Sequence, residues 1–337
     1  MPKTTPKRIL VTGADGFIGS HLVEALTRAG HVTRCFVMYN SFNSWGWLDH
    51  AEGSLKSRLD VVSGDIRDER FVRLAMQGCD AVVHLAALVS IPYSYLAPAH
   101  FVDTNVRGTL NLLEAAREVG VARFIHTSTS EVYGSGRQFP MNEEHPIRGQ
   151  SPYSATKIAA DQLAIAYHAS FGLPVVVVRP FNTYGPRQSA RAIIPTIITQ
   201  IERGEREIKL GSLTPTRDFT YIADTASGFI SALQSDRGAG EIVNLGTNFE
   251  ISVGDLVKEI ADLMQVRVTP CEEERRKRPS GSEVQRLRAD NSKAKVLFGW
   301  EPGFSGLSGL RDGLRLTIDW FRTHGHSAGY KPERYNI

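Results

Sequence analysis

The stretch Arg8-Ile9-Leu10-Val11-Thr12-Gly13-Ala14-Asp15-Gly16-Phe17-Ile18-Gly19 decides how the rest of the chain is read. A short apolar strand pattern runs into three glycines, each separated from the next by two residues. Residues 17–29 then carry apolar side chains at helical spacing. Glycine permits a tight turn and lets a phosphate approach backbone N–H groups, and the helix start behind it favours negative charge. Gly13, Gly16 and Gly19, with Asp15, Phe17 and Ile18 between them, are therefore candidates for a dinucleotide pyrophosphate site. The competing reading is an ordinary strand-to-helix turn, and the position between strand and helix favours the first.

Working outward, residues 32–38, 59–63, 81–85 and 123–127 read as strands, with a long helical pattern over residues 101–119 between the last two. A second long helix is expected over residues 153–171, followed by a strand over residues 174–179. Strands separated by helices predict a parallel sheet covered on both faces, an α/β chain with a Rossmann-type doubly wound sheet. After about residue 183 the segments shorten and become richer in proline, glycine and charge, with helices expected over residues 192–202, 252–264 and 307–323. The expected organisation is a dinucleotide-binding domain over residues 1–182 and a smaller C-terminal α/β substrate lobe over residues 183–337, with the chain free to cross between the two.

Bulk properties narrow the function classes. A formal charge of +3 over 337 residues gives no basis for a nucleic-acid partner, and neither end forms a basic tail. The charge-balanced run from Glu272 to Arg278 reads as a solvated segment. Cys35, Cys79 and Cys271 lie far apart without metal-ligand spacing, so reduced thiols and no metal centre are expected. The polar start from Met1 to Arg8 and the lack of a membrane-length apolar run predict a cytoplasmic protein with no membrane partner.

Dinucleotide sites usually place a carboxylate at the end of the second strand to bind ribose hydroxyls. Here Met38, Tyr39, Asn40 and Ser41 stand there with no acid and no following arginine. Asn40, Ser41 or Asn43 are the substitutes, and the loop leaves NAD against NADP open. Asp65 and Ile66, after the third strand, suit adenine contacts, though Asp65 equally suits a cap for a helix over residues 67–76.

Tyr153 and Lys157 are four residues apart, so a helix puts them on one face. An ammonium beside a phenol favours the phenolate, which would make the tyrosine a usable base. Thr129 follows a strand end, where open parallel sheets bind ligands, and its hydroxyl could bond the same substrate oxygen.

Together these residues resemble the extended short-chain dehydrogenase/reductases that act on sugar nucleotides. The glycine fingerprint, Asp65-Ile66, His84-Leu85-Ala86-Ala87, Thr129, Tyr153, Lys157, Pro180 to Pro186, Arg217-Asp218-Phe219 and Arg278-Pro279 fit in order over nearly the whole chain. Within that family, Met38 to Trp47, Ile91 to Tyr95 and Pro186 to Arg191 look like the 4,6-dehydratases of the legionaminic-acid pathway, which use GDP-N-acetylglucosamine and NAD. The resemblance implies bound NAD touching Leu85, Ala86 and Ala87, a nucleotide-sugar substrate and a homodimer. It implies that Tyr153 takes the proton from the sugar 4-hydroxyl and that Glu131 removes the hydrogen on carbon 5. Asn182, Arg217 and Arg278 match the family's pyrophosphate contacts, and Arg187 and Arg191 are further candidates. Tyr93, Tyr95, Trp45 and Trp47 are candidates to shape the pocket.

The chain departs from the better-known dehydratases at Ser130, where they carry aspartate, so the acid that protonates the departing 6-hydroxyl falls to Ser130 through water or to Glu131. A 4-epimerase needs only Thr129, Tyr153, Lys157 and the cofactor and is the nearest alternative. A 5,6-dehydratase and a non-catalytic dinucleotide sensor are the others, and the intact Thr129/Tyr153/Lys157 set speaks against the sensor.

Overall fold

Alternation along the first strand explains how the sheet is covered. β1 (Arg8–Thr12) sends Ile9 and Val11 into one apolar layer and Leu10 into the other, as successive strand side chains must. β2 (Val32–Met38) and β3 (Asp60–Gly64) extend the sheet on one side of β1, and β4 (Ala81–His84), β5 (Arg123–Thr127) and β6 (Val175–Pro180) extend it on the other. All of these pairs are parallel, in the order β3-β2-β1-β4-β5-β6. The order reverses at β1/β4, and ligands bind such sheets in the crevice there, at the carboxyl ends of the strands. The computed structural model describes residues 7–323; the polar start at residues 1–6 and the end of the expected small lobe, residues 324–337, lie outside the described residues.

α1 (Phe17–Arg28) covers one face through Leu22, Val23 and Leu26. α2 (Glu69–Met76), α3 (Gly108–Val119) and α4 (Pro152–Phe171) cover the other, burying Val72, Leu112, Leu113 and Ala164. α5 (Ile193–Glu202) lies in the C-terminal part of the chain, whereas α6 (Ile222–Gln234) returns to pack on α1 with Phe229 and Leu233. α5 joins α7 (Val253–Leu263) and α8 (Gly306–Thr323) around a third apolar cluster that holds Ile197, Ile198, Leu256, Ile260, Leu314 and Phe321.

Short strand pairs frame this part. β7 (Asn182–Tyr184) pairs in parallel with β10 (Phe219–Tyr221), β8 (Glu207–Leu210) with β13 (Thr269–Glu272), and β9 (Thr216–Arg217) pairs antiparallel with β12 (Ile251–Ser252). β11 (Ile242–Leu245) does not join them. It pairs in parallel with β6 and makes the seventh strand of the large sheet.

Most elements fall within a residue or two of expectation. The helix expected over residues 101–119 is instead three joined pieces: a turn at Pro98–Phe101, a π-helical segment at Val102–Arg107 and then α3. The bulge carries Asn105, which is buried and turned toward the loop after β4. Cys35 and Cys79 are buried and Cys271 is exposed, all as free thiols. Among the described residues no helix is long and apolar enough to cross a membrane.

Candidate active site

The glycine turn is built so that a side chain cannot enter it. Gly13 sits at φ +68°, and a Cβ there would lie 2.8 Å from the backbone nitrogen of Ala86. A Cβ on Gly19 would lie 2.1 Å from the Gly13 carbonyl. Gly16 caps α1 with no side-chain hydrogen bond, and no acidic residue stands in the first turn. The first amides of the helix are thus left to an anion, and the turn fits a dinucleotide pyrophosphate. The Phe17 and Ile18 side chains pack on the C-terminal apolar cluster, Ile18 on the sheet core as well, which leaves only their backbone facing the turn. Leu85 and Ala86 are fixed by the Thr12 hydroxyl, which accepts from both amides at 3.2 Å.

Two expected cofactor contacts have other partners. The Asn40 amide group is engaged within its own loop: its oxygen accepts from the amides of Phe42 and Ser44, and its nitrogen donates to the carbonyls of Met38 and Ser44. Asp65 does not cap the next helix. Asp68 does, accepting from the Phe71 amide at 3.0 Å, while Asp65 forms an ion pair with Arg67 that holds its carboxyl below the usual range. Ile66 is buried against Gly108.

Tyr153 and Lys157 stand on the first turns of α4, which starts sharply because Ser151 and Ser154 cap each other and Pro152 sets the first helical position. The Thr129 side chain, just past the end of β5, lies near enough to the Tyr153 phenol on α4 to favour its ionised form, against the larger opposing effect of burial. Thr129 also accepts from the Glu131 amide and opens the short helix Ser130–Tyr133, in which Ser130 is buried. The expected depression of the Tyr153 pKa is not found. Burial raises the phenol, and the Lys157 ammonium donates to the Thr127 carbonyl at 2.6 Å. Burial in turn lowers Lys157 to about 8, against the attraction of Asp161. Asp161, one turn further along α4, pairs with Arg179 at 3.0 Å and accepts from Ser128 at 2.7 Å, all fully buried.

A cavity of about 290 Å³, lined by Asn182, Arg191, Arg217, Arg278 and Glu283, among others, approaches the strand-end turn through Arg278, 3.8 Å from Glu131. Arg217 is buried and pairs with Glu283 at 3.2 Å; Arg278 lies 3.8 Å from both Glu283 and Glu131. The Asn182 side-chain oxygen is buried with no hydrogen-bond partner among the described residues. Concentrated guanidinium groups and an open polar atom suit a phosphorylated ligand. Arg187 does not line this cavity: at φ +70° it turns back to pair with Glu24 of α1 at 2.6 Å. Tyr93 packs with Ile91 and Phe101 around Tyr153, and the Tyr95 hydroxyl meets Ser282 at 2.5 Å. Trp45 packs into the core beside α1, and Trp47 stacks edge-on against Trp320 of α8, so both serve packing.

Sequence reasoning missed Asn105 and Glu283. Asn105 clamps the loop after β4, accepting from the Leu88 amide at 2.8 Å and donating to its carbonyl at 3.0 Å, and it reaches Thr156 next to Lys157. A lone amide in an apolar helical pattern was its only signal. Glu283 had none, because only folding brings Arg217, 66 residues earlier in the chain, against it alongside Arg278.

Known proteins of this shape share both chemistry classes raised above. The human dTDP-D-glucose 4,6-dehydratase is 31% identical over 335 residues, covering 97% of this chain and 93% of that protein. The structure of a dTDP-glucose 4,6-dehydratase from Streptomyces venezuelae, solved with NAD, superposes with a TM-score of 0.82 at 30% identity, covering 97% of this chain and all (100%) of the other. The UDP-glucuronic acid 4-epimerase of Bacillus cereus, solved with UDP-glucuronic acid and NAD, superposes with a TM-score of 0.84 at 30% identity, over 94% of this chain and 99% of the other. The family model described as GDP-mannose 4,6 dehydratase matches residues 10–312, and the chain belongs to that family of extended short-chain dehydrogenase/reductases acting on nucleotide sugars.

Proposed function

We propose that the protein is an NAD-dependent 4,6-dehydratase that converts a nucleoside-diphosphate hexose to its 4-keto-6-deoxy form. The observation that carries this reading is the placement of a carboxylate, Glu131, on the same strand-end turn as Thr129 and 3.8 Å from Arg278, which lines the arginine-rich cavity. The glycine cradle, with Leu85, Ala86 and Ala87 beside it, would hold NAD, which when bound would supply the acceptor for the hydride lost from carbon 4 and the donor of that hydride to carbon 6.

Tyr153 accepts the 4-hydroxyl proton, aided by Thr129 and by the partial positive charge at the start of α4. Burial raises the phenol and opposes its ionisation, so the phenolate that accepts the proton depends on the ammonium of Lys157, four residues along the same helix. Glu131 removes the hydrogen on carbon 5, which a 4-ketone acidifies. The same group, now protonated, gives that proton to the departing 6-hydroxyl, because Ser130 offers no carboxylic acid. Asn182, Arg217 and Arg278 hold the pyrophosphate, with Arg191 at the cavity edge.

GDP-N-acetylglucosamine is the proposed sugar nucleotide, on the resemblance of residues 38–47 and 186–191 to enzymes of that specificity. The relatives' names give dTDP-glucose as the first competitor. The same reading carries a cytoplasmic homodimer formed through α3 and α4, whose outer faces expose Leu110 and Phe171. A 4-epimerase is the second reading, favoured by the superposition on an epimerase. Incubation with a panel of UDP-, GDP- and dTDP-hexoses, followed by mass spectrometry, separates the two. Loss of one water supports the dehydratase, and a product of unchanged mass that separates from the substrate on chromatography supports the epimerase.

A further inference from the structure

We propose that Asp15, inside the glycine turn, reads the adenosine ribose hydroxyls and sets a preference for NAD over NADP. This rests on the reading of that turn as a dinucleotide site. In such folds the adenosine half extends from the helix start toward the end of the second strand, where a carboxylate accepts from the ribose diol. β2 ends in Met38-Tyr39-Asn40-Ser41 and supplies none. The glycine turn leans over that spot instead. The Ala14 amide donates to the Phe36 carbonyl of β2 at 3.3 Å, and Asp15 Oδ2 accepts from the Met38 amide at 3.3 Å. A carboxylate thus reaches the position the second strand leaves unfilled, from the neighbouring turn.

Its backbone is held in place as well. The Trp47 amide donates to the Asp15 carbonyl at 3.0 Å, and a Cβ on Gly46 would lie 2.6 Å from that same oxygen, so the 44–48 loop closes directly on the turn. Asn40 is bound within its own loop and does not compete for the role.

The charge environment fits a diol and opposes a phosphate. Residues 35–55 contain no lysine or arginine. Arg34 is committed to Asp60 and to the carbonyls of Ala75 and Gln77. Among the described residues no cation lies within ion-pair distance of Asp15, and partial burial raises its carboxyl. A carboxylate is an acceptor only, so two ribose hydroxyls complement it, whereas a 2′-phosphate would bring a second negative charge to a place with no counter-charge.

The test is a competition for the purified full-length protein. It is exchanged against equal concentrations of NAD and NADP, desalted, and its bound dinucleotide is quantified by mass spectrometry. The wild type should retain NAD over NADP by about 100-fold, the scale of a charge-assisted hydrogen bond lost and a repulsion gained. Asp15→Asn, which removes the charge and keeps an acceptor for Met38, should narrow the ratio at least tenfold by admitting NADP. Asp15→Ala should narrow it by weakening NAD. A wild-type ratio within about threefold overturns the proposal whether or not either variant folds, as does an unchanged ratio in both variants. A wild type that retains neither dinucleotide instead overturns the cofactor-site reading, and this inference falls with it.

Discussion

The Arg278 guanidinium lies 3.8 Å from the Glu131 carboxylate. The group proposed to hold phosphate is therefore within electrostatic reach of the group proposed to move the carbon 5 proton, and the two roles separate by kinetics. Arg278→Ala should raise KM for the nucleotide sugar about 10- to 100-fold, the loss of a charge-assisted contact, with a smaller fall in kcat. Steady-state kinetics checks it. A collapse of kcat at unchanged KM would show that Arg278 acts on Glu131 instead.

Glu131→Gln keeps the shape of the side chain and removes its basicity. Turnover should fall about 10²- to 10⁴-fold, and solvent deuterium should no longer enter at carbon 5. Undiminished incorporation in that variant rejects Glu131 as the base.

Tyr153→Phe deletes one oxygen in a fully packed first turn of α4. The cofactor should remain bound at wild-type stoichiometry while kcat drops by at least about 10²-fold. Retained dinucleotide is measured by denaturing release and absorbance; near-normal turnover removes Tyr153 from the reaction.

Lys157 gives the pH dependence. Burial lowers its amine to about 8, so it is charged below that pH and neutral above it. If the ammonium supports Tyr153, kcat falls as pH rises through about 8, and Lys157→Met abolishes that limb of the profile. Stability moves the opposite way. An unfolded chain holds the proton up to about pH 10.4, so between about 8 and that value the unfolded state binds more protons and stability rises with pH. The denaturation midpoint of the wild type should therefore rise relative to that of Lys157→Met across that window. A constant difference between the two would show that another group titrates there.

Asp161 carries a structural prediction. It is fully buried and holds Arg179, Ser128 and His126 beneath the site. Asp161→Ala leaves the Arg179 charge without its partner and should cost about 3–5 kcal/mol in urea unfolding. A loss under about 1 kcal/mol would mean that other groups already neutralise Arg179.

What the sequence revealed, and what it concealed, follows from how local each signal is. β1 to β6 are short apolar runs between glycines, caps and amphipathic helices, so their pattern is self-contained. β11 is four residues with an asparagine in the middle, which breaks an apolar run. Asn244 is tolerated there because the Tyr133 hydroxyl donates to it, it donates to the Met141 carbonyl and its amide reaches Glu143, all partners more than 100 residues away. Arg217 stood in sequence as a match to a family pyrophosphate contact and Arg187 as a further candidate. The latter meets Glu24 on α1 and the former enters the cavity, a difference fixed by backbone path. The tryptophans were legible as large apolar side chains, but whether they face a ligand or a helix is decided by tertiary packing. The Tyr153–Lys157 spacing correctly placed both on one face, yet spacing alone carried no information about the Thr127 carbonyl that takes the ammonium.

The pairing of β11 with β6 has a practical consequence for engineering. A chain cut at residue 182 would strip β6 of a neighbour and expose a row of amides and carbonyls to other chains, inviting edge-to-edge aggregation. Grafting a new specificity onto this scaffold therefore means replacing residues 183–241 and the segment after Leu245 as two separate inserts, with Ile242–Leu245 left in the host.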